Sequence, residues 1–239
     1  MNGRRIILGA KYADLLEKPL RDRGFSPLFI PDNPFVDPRL SGHADLSLFY
    51  CGGSLIAAPY LRRSGLEERL ADRGVRVLYA DIVQGTEYPM DAALNAKVLG
   101  GRLVYSPRVT AKAVADEFKR CFGASAGTIS VRQGYVGCTL CAVGPDAAVT
   151  EDAGIAAALE RAGVDVLKVS PGGVRLEGFD HGFIGGAGFP GAAGELFFTG
   201  TLGAIPEADR IEEFIYKHGA RPVYLSDEAA FDIGGAIIL

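Results

Sequence analysis

Five times in this chain a short amphipathic stretch ends in glycine and runs into an apolar burst: RDRG-FSPLFI at Gly24, ADRG-VRVLYA at Gly74, RCFG-ASAGTISV at Gly123, ERAG-VDVLKV at Gly163 and YKHG-ARPVYL at Gly219. A glycine just past a helical stretch supplies the left-handed residue that ends the last turn, and the apolar run after it reads as a strand. The glycines are 50, 49, 40 and 56 residues apart, so the chain reads as five copies of a unit about 48 residues long. A period in this range marks architectures in which no unit buries its own core and neighbours complete one another.

The third unit shows the plan. LNAKVL alternates around Lys97, Gly100 and Gly101 turn the chain, and RLVYS returns as a second strand. Thr110 is placed to cap the helix AKAVADEFKRCF, Gly123 ends it, and TISV forms a third strand. The second unit (DLSLFYC, GG, SLIAA, a helix from Pro59, VRVLYA) and the fourth (YVGCTLCAV, GPD, AAVT, EDAGIAAALERA, VDVLKV) repeat it, and in the fourth Thr150, Glu151 and Asp152 suit a helix start. The fifth follows with GFIGGAGF, a Gly/Ala/Pro turn, ELFFTG, a helix after Pro206 and PVYL. The first has RRIILGA but no hairpin partner, and the chain ends in FDIGGAIIL, a strand with no helix after it. These leftovers complement each other: pairing residues 232–238 with 4–9 removes two exposed strand edges. The expected fold is α/β, a five-bladed α/β propeller of strand-strand-helix-strand repeats closed by the terminal strands. The expected organisation is one domain, 1–239, with repeats at about 1–40, 41–90, 91–133, 134–178 and 179–239.

Apolar residues make up 48% and charged residues 23% of the 239, as in ordinary globular proteins. A net charge of -4 with no basic stretch argues against nucleic acid as a partner. No apolar run approaches 18 residues, and the five-residue apolar stretch near the N-terminus is too short for a secretory signal, so a cytoplasmic protein without membrane association is expected. Four cysteines in a chain of this length are expected to stay reduced. The sequence leaves the oligomeric state open.

The repeat plan, with GYVGCTLCAV, GFDHGFIGGAGF and the terminal DIGGAIIL, resembles the pentein superfamily, the guanidino-group-modifying-enzyme fold of arginine and agmatine deiminases, dimethylarginine hydrolases and amidinotransferases, and within it an uncharacterised branch known as a domain of unknown function. The resemblance implies a catalytic Cys on the last axial strand, a His on an earlier one and carboxylates that grip a guanidinium. The chemistry is consistent: a planar cation with five donors needs bidentate carboxylates, and its carbon needs a thiolate and a proton carrier. His181, in FDHGFIGG, occupies a family-like position, whereas FDIGGAIIL has no Cys and ALNAKVL carries Asn95 where a carboxylate would stand.

Because the units are equivalent, chemistry absent from one can sit on another. Cys138 lies before its turn roughly where Asn95 and Ser47 lie in theirs, so the catalytic candidates are Cys138 as nucleophile with His181 as base and Cys141 as its companion thiol. Asp91, Asn95 and Asp32 are the candidate substrate-binding residues, from the connections DIVQGTEYPMDAALNA and PDNPFVDP. Each has a plainer reading, the cysteines as small core residues and the aspartates as turn or cap residues. Cys-x-x-Cys within one strand puts residues i and i+3 on opposite faces, so convergence of the thiols requires a bulge; as a metal site it supplies only two ligands, and no metal is expected. The glycines of GFIGGAGFPGAAG are followed by no Lys, so no nucleotide and no cofactor is expected. His43 and His218 carry no role at this level, His218 lying in the last turn of a helix. The function read from the sequence is a hydrolase or transferase acting through a Cys/His pair on a small guanidine-, amidine- or amide-containing substrate; the competing reading is a non-catalytic module that binds a small molecule or a protein.

Overall fold

In every unit an apolar pair spaced i, i+4 faces inward and a glycine follows four or five residues later. Leu16/Leu20, Leu66/Leu70, Val114/Phe118, Ile155/Leu159 and Ile211/Ile215 are all essentially fully buried, each side chain contributing about 1.5–3 kcal/mol of hydrophobic stabilisation. Gly24, Gly74, Gly123, Gly163 and Gly219 all have φ between 63° and 94°. Around Gly24 an added Cβ would meet nothing within 4 Å, so its requirement there is backbone conformation alone.

The computed structural model of the protein describes residues 4–191 and 194–239, and the turn expected after GFIGGAGF falls partly outside them. The strands are β1 (Arg4–Gly9), β2 (Phe25–Ile30), β3 (Leu48–Cys51), β4 (Ser54–Ala57), β5 (Arg76–Tyr79), β6 (Lys97–Leu99), β7 (Arg102–Tyr105), β8 (Thr128–Ser130), β9 (Leu140–Gly144), β10 (Ala147–Thr150), β11 (Asp165–Lys168), β12 (Gly188–Pro190), β13 (Glu195–Phe198), β14 (Arg221–Tyr224) and β15 (Ile237–Ile238). The helices are α1 (Ala13–Asp22), α2 (Leu66–Leu70), α3 (Lys112–Phe122), α4 (Val136–Thr139), α5 (Ala153–Arg161), α6 (Ile184–Ala187) and α7 (Ala208–Lys217). The strands form five three-stranded sheets, β15-β1-β2, β3-β4-β5, β6-β7-β8, β9-β10-β11 and β12-β13-β14. In each, the middle strand pairs antiparallel with a hairpin partner and parallel with the strand beyond its helix. The terminal strand completes the first blade, because β15 stands where that blade lacks a hairpin partner. The pairing is narrower than 232–238 against 4–9: Ile6 faces Ile238, Ile7 faces Ile237, and Leu239 N–H donates to Arg5 O at 3.0 Å.

Where the sequence reads one long hairpin strand, the structure splits it into a turn and a shorter strand. Ala44–Leu46 is a 3₁₀ turn before β3, and α4 and α6 are single helical turns before β9 and β12. Cys138 therefore sits on a helical turn and Cys141 on a strand, and the bulge that would have brought them together is not used. The α3 helix is capped at Ala111 without a side-chain bond, while Thr110 Oγ1 accepts from Ser106 N–H instead. At α5 the expected cap forms: Asp152 accepts from Ile155 N–H at 2.7 Å.

Candidate active site at the meeting of the five turns

The turns that precede the hairpin strands meet one another. Asp45 N–H donates to Gly234 O, Ile233 and Gly235 N–H both donate to Gly186 O, and Gly137 N–H donates to Asn95 Oδ1. Glycines make the approach possible. A Cβ on Gly186 would stand 1.9 Å from Asp232 Oδ1, one on Gly234 2.6 Å from Asp45 Oδ1, and one on Gly137 3.0 Å from both Asp45 Oδ2 and Asn95 Oδ1. Three turns thus give up their side chains so that those of Asp45, Asn95, Cys138 and Asp232 can share one small volume.

Cys138 is at the centre of it. Its thiol donates to Asp45 Oδ2 at 2.8 Å, and Asn95 Nδ2 donates to its sulfur at 3.3 Å. A ring nitrogen of His43, a carboxylate oxygen of Asp45 and Cys138 Sγ lie within 4.8 Å of one another, and all three residues are buried. This donor set is also the one among the described residues that could hold a metal ion. Asp232 accepts from Phe183 N–H at 2.9 Å and Gly234 N–H at 2.8 Å, and its Oδ1 lies 3.9 Å from His43 Nδ1. His43 Nε2 and Asp45 Oδ1 are buried without a hydrogen-bond partner.

The electrostatics follow from burial of several acids together. Burial pushes the Asp45 carboxyl from 3.8 to about 7, with Asp232 adding to the rise and the bonds from Cys138 and Asn95 and the charge of Lys97 opposing it. Burial and the carboxylates of Asp45 and Asp232 hold the Cys138 thiol well above the ordinary cysteine range, so it is protonated at neutral pH. Burial also lowers His43 and keeps its ring neutral. Glu151, whose Oε1 accepts from Ile184 N–H at 2.9 Å, is likewise raised to about 7 by burial. The site is an acidic hollow that gains from a bound cation.

A cavity of about 180 Å³ opens onto this cluster, with His43, Cys138, Asp232, Tyr135, His181 and Phe183 in its walls. Leu176, Phe179 and Asp232 also line a larger cavity of about 840 Å³ that carries Lys11, Arg39 and Arg175. The two therefore form a narrow inner chamber and a wide outer one. Phe179 stands between them under the Arg39 guanidinium, 4.1 Å from its ring centroid, and Arg39 Nη1 also donates to Gly178 O.

The residues singled out from sequence are distributed unevenly around this point. Cys138 and His181 line the inner chamber together, and Asn95 lies beneath, bonded to both Cys138 and Gly137. His181 Nδ1 lies 3.0 Å from Gly182 O, which makes Nδ1 the protonated nitrogen and leaves Nε2 as the basic one. Asp91 is one step removed: its Oδ2 accepts from Tyr135 OH at 2.6 Å, which fixes a wall of the chamber. Cys141 is not brought to the site; it belongs to the apolar core shared with Ile184, Ala187 and Phe198, and burial pushes its thiol up to about 12. Asp32 is not brought there either, because its carboxylate is exposed and accepts the Lys11 backbone N–H at 3.2 Å. His43, Asp45 and Asp232 are the residues that sequence reasoning passed over. The signal for them is positional: each precedes a hairpin strand by two to five residues, as Asn95 and Cys138 do.

A family described as a family of unknown function, DUF6873, matches residues 7–237. The chain belongs to this family. No curated protein matches this chain in sequence. Its fold is similar to that of DDAH from Pseudomonas aeruginosa, a mutant complexed with citrulline, with a TM-score of 0.59, 11% identity and 100% of both chains covered. It is also similar to an amidinotransferase from Microseira wollei of the saxitoxin biosynthetic pathway (TM-score 0.56, 9% identity, 94% of this chain and 89% of that one) and to C. jejuni agmatine deiminase (0.53, 10%, 94% and 88%). These likenesses establish the pentein fold. Among the described residues no helix is long and apolar enough to cross a membrane.

Proposed function

We propose that this DUF6873 protein is a cysteine-dependent hydrolase or transferase that acts on a small cationic guanidine or amidine. The observation that carries the reading is the hydrogen bond from the Cys138 thiol to Asp45, at the floor of a chamber with His43, His181 and Asp232 in its walls. A planar cation seated in the chamber against the Asp232 carboxylate and beside Cys138 offsets the negative charge that holds the thiol protonated. The thiol proton then passes to Asp45 along the existing bond, and the sulfur attacks the amidine carbon. The C–N bond breaks and the leaving nitrogen departs as an amine with that proton. Water, deprotonated by His181 Nε2, attacks the carbon; the C–S bond breaks and the thiol is restored. An amine in place of that water makes the same site a transferase. The inner chamber is smaller than the roughly 300–1,000 Å³ of ordinary ligand pockets, so it suits the planar head group while a tail extends into the outer one.

One observation favours the non-catalytic reading. Lys97, whose Nζ donates to Gly137 O at 3.3 Å, is a cation acting on Asp45, and two carboxylates oppose ionisation of the thiol, an arrangement that suits holding a cation as much as transforming one. Incubation with arginine, agmatine, methylated arginines and simple amidines, read by release of ammonia or amine and by heat of binding, separates the two. Turnover abolished in Cys138→Ala and reduced in His181→Ala or His43→Ala supports the enzyme, the two histidine variants apportioning the proton transfers. Binding without turnover supports the module, and neither binding nor turnover removes both.

A further inference from the structure

The sequence offers one obvious thiol pair, Cys138 and Cys141, and the structure sends those two to different places. The other two cysteines, 70 residues apart, meet. Cys51 ends β3, at the end of the strand away from the meeting turns, and Cys121 lies in the last turn of α3. The Cys121 thiol donates to Cys51 O at 3.4 Å, and burial, with the neighbouring Cys121 thiol adding to it, pushes the Cys51 thiol up to about 12. Gly52 allows the contact: a Cβ there would stand 2.7 Å from Cys121 Cβ. All four cysteines are free thiols in the structure.

The pair is also asymmetric in the manner of a reacting and a resolving thiol. Cys121 is half-buried, and Arg120 Nη2 lies 3.2 Å from its sulfur while also holding Ser54 Oγ at 2.8 Å. Glu117 Oε1 lies 3.9 Å from the same sulfur and pairs with the Arg120 guanidinium at 2.7 Å, so the thiol sits beside a fixed ion pair. Cys51 is buried beneath it, 2% exposed, in the core with Phe118 and Leu103.

We propose that Cys121 and Cys51 form a hydroperoxide-oxidisable dithiol site that closes to a disulfide joining the second blade to the third. The Cys121 thiol attacks a peroxide oxygen; an S–O bond forms, the O–O bond breaks, and the released hydroxide takes the thiol proton and leaves as water. The Cys51 thiol then attacks the sulfenic sulfur; the S–S bond forms, the S–O bond breaks, and its hydroxyl leaves with the Cys51 proton as a second water. Two electrons from the thiol pair reduce one hydroperoxide, and a dithiol reductant reverses the step. The site shares no residue with the Cys138 chamber, so it stands whether or not that chamber is catalytic.

The test uses the full-length protein treated with hydrogen peroxide at neutral pH, followed by intact-mass and peptide mapping. The expected result is loss of two thiols and two hydrogen masses, a cross-linked peptide pair containing Cys51 and Cys121, and a raised thermal midpoint that a reductant restores. Cys51→Ser should stop at a sulfenic acid on Cys121 that dimedone traps, and Arg120→Met should slow the wild-type reaction several-fold. Circular dichroism of both variants checks that they fold. A cross-link between Cys138 and Cys141, a sulfinic acid on Cys121 with Cys51 still a free thiol in the wild type, or four unreacted thiols would each overturn the proposal.

Discussion

Replacing Asp45 by Asn should make the protein more stable at alkaline pH and less stable, by about 1–2 kcal/mol, at acidic pH. The unfolded chain releases the Asp45 proton near 3.8, whereas burial among other acids raises the folded-state value to about 7. Between those values the folded protein keeps a proton that the unfolded chain has lost. The stabilisation is therefore complete below about pH 4 and is lost as pH rises through about 7. The gap is roughly three units, which at about 1.4 kcal/mol each sets an upper bound of about 4 kcal/mol. The amide introduces a buried N–H₂ where Oδ1 has no partner, which costs about 1–2 kcal/mol, so a net gain of about 2–3 kcal/mol is expected at pH 8.5. Urea unfolding at pH 5 and pH 8.5 measures it: the wild-type midpoint should fall with pH more steeply than the variant's. The same experiment with agmatine present should flatten the wild-type dependence and leave the variant's unchanged, because the cation needs the carboxylate. Parallel pH profiles for wild type and variant would refute the assignment of a buried, raised carboxyl to this position.

Other changes test the frame around the site. Gly186→Ala places a methyl carbon 1.9 Å from Asp232 Oδ1, so the carboxylate must leave its place; cation binding should drop at least tenfold by calorimetry, with far-UV circular dichroism unchanged. Removing Ile237–Leu239 strips β15 from β1 and should cost about 3 kcal/mol in denaturant unfolding from lost apolar cover and edge hydrogen bonds, with no loss if the termini did not close the first blade. Gly24→Ala should cost about 1–2 kcal/mol although its Cβ meets nothing, since the whole penalty is the positive φ of 80°, and a neutral result would show that the helix end can be rebuilt.

The fold was legible because its signal is redundant. An inward pair and a closing glycine recur five times, and no accident of one segment obscures the period. Closure by the termini was legible because an unpaired first blade and an unpaired last strand left one way to hide both edges. The site was harder to read because alternation cannot separate a strand from a single helical turn followed by a strand. HADLSLFYC and YVGCTLCAV both hide such a turn, and it swings Asp45 and Cys138 to the centre while Cys141 packs into the core. His43 looked idle because its significance depends on Asp232, 189 residues away and 3.9 Å distant. The meeting of Cys51 and Cys121 was invisible for the same reason: contacts between blades leave no period in the sequence.

The most direct measurement of the central claim compares two electrophiles of equal size and different charge, 2-chloroacetamidine and 2-chloroacetamide, by intact-mass and peptide mapping over time at neutral pH. The acidic chamber around Cys138 should draw in the cationic reagent and lower the thiol's proton affinity while it is bound. A Cys138 adduct should form at least tenfold faster with the amidine than with the amide and be suppressed in Asp45→Asn, whereas any adduct on the partly exposed Cys121 should form with no such preference. Equal rates for the two reagents at Cys138, or no Cys138 adduct with either, would contradict the claim.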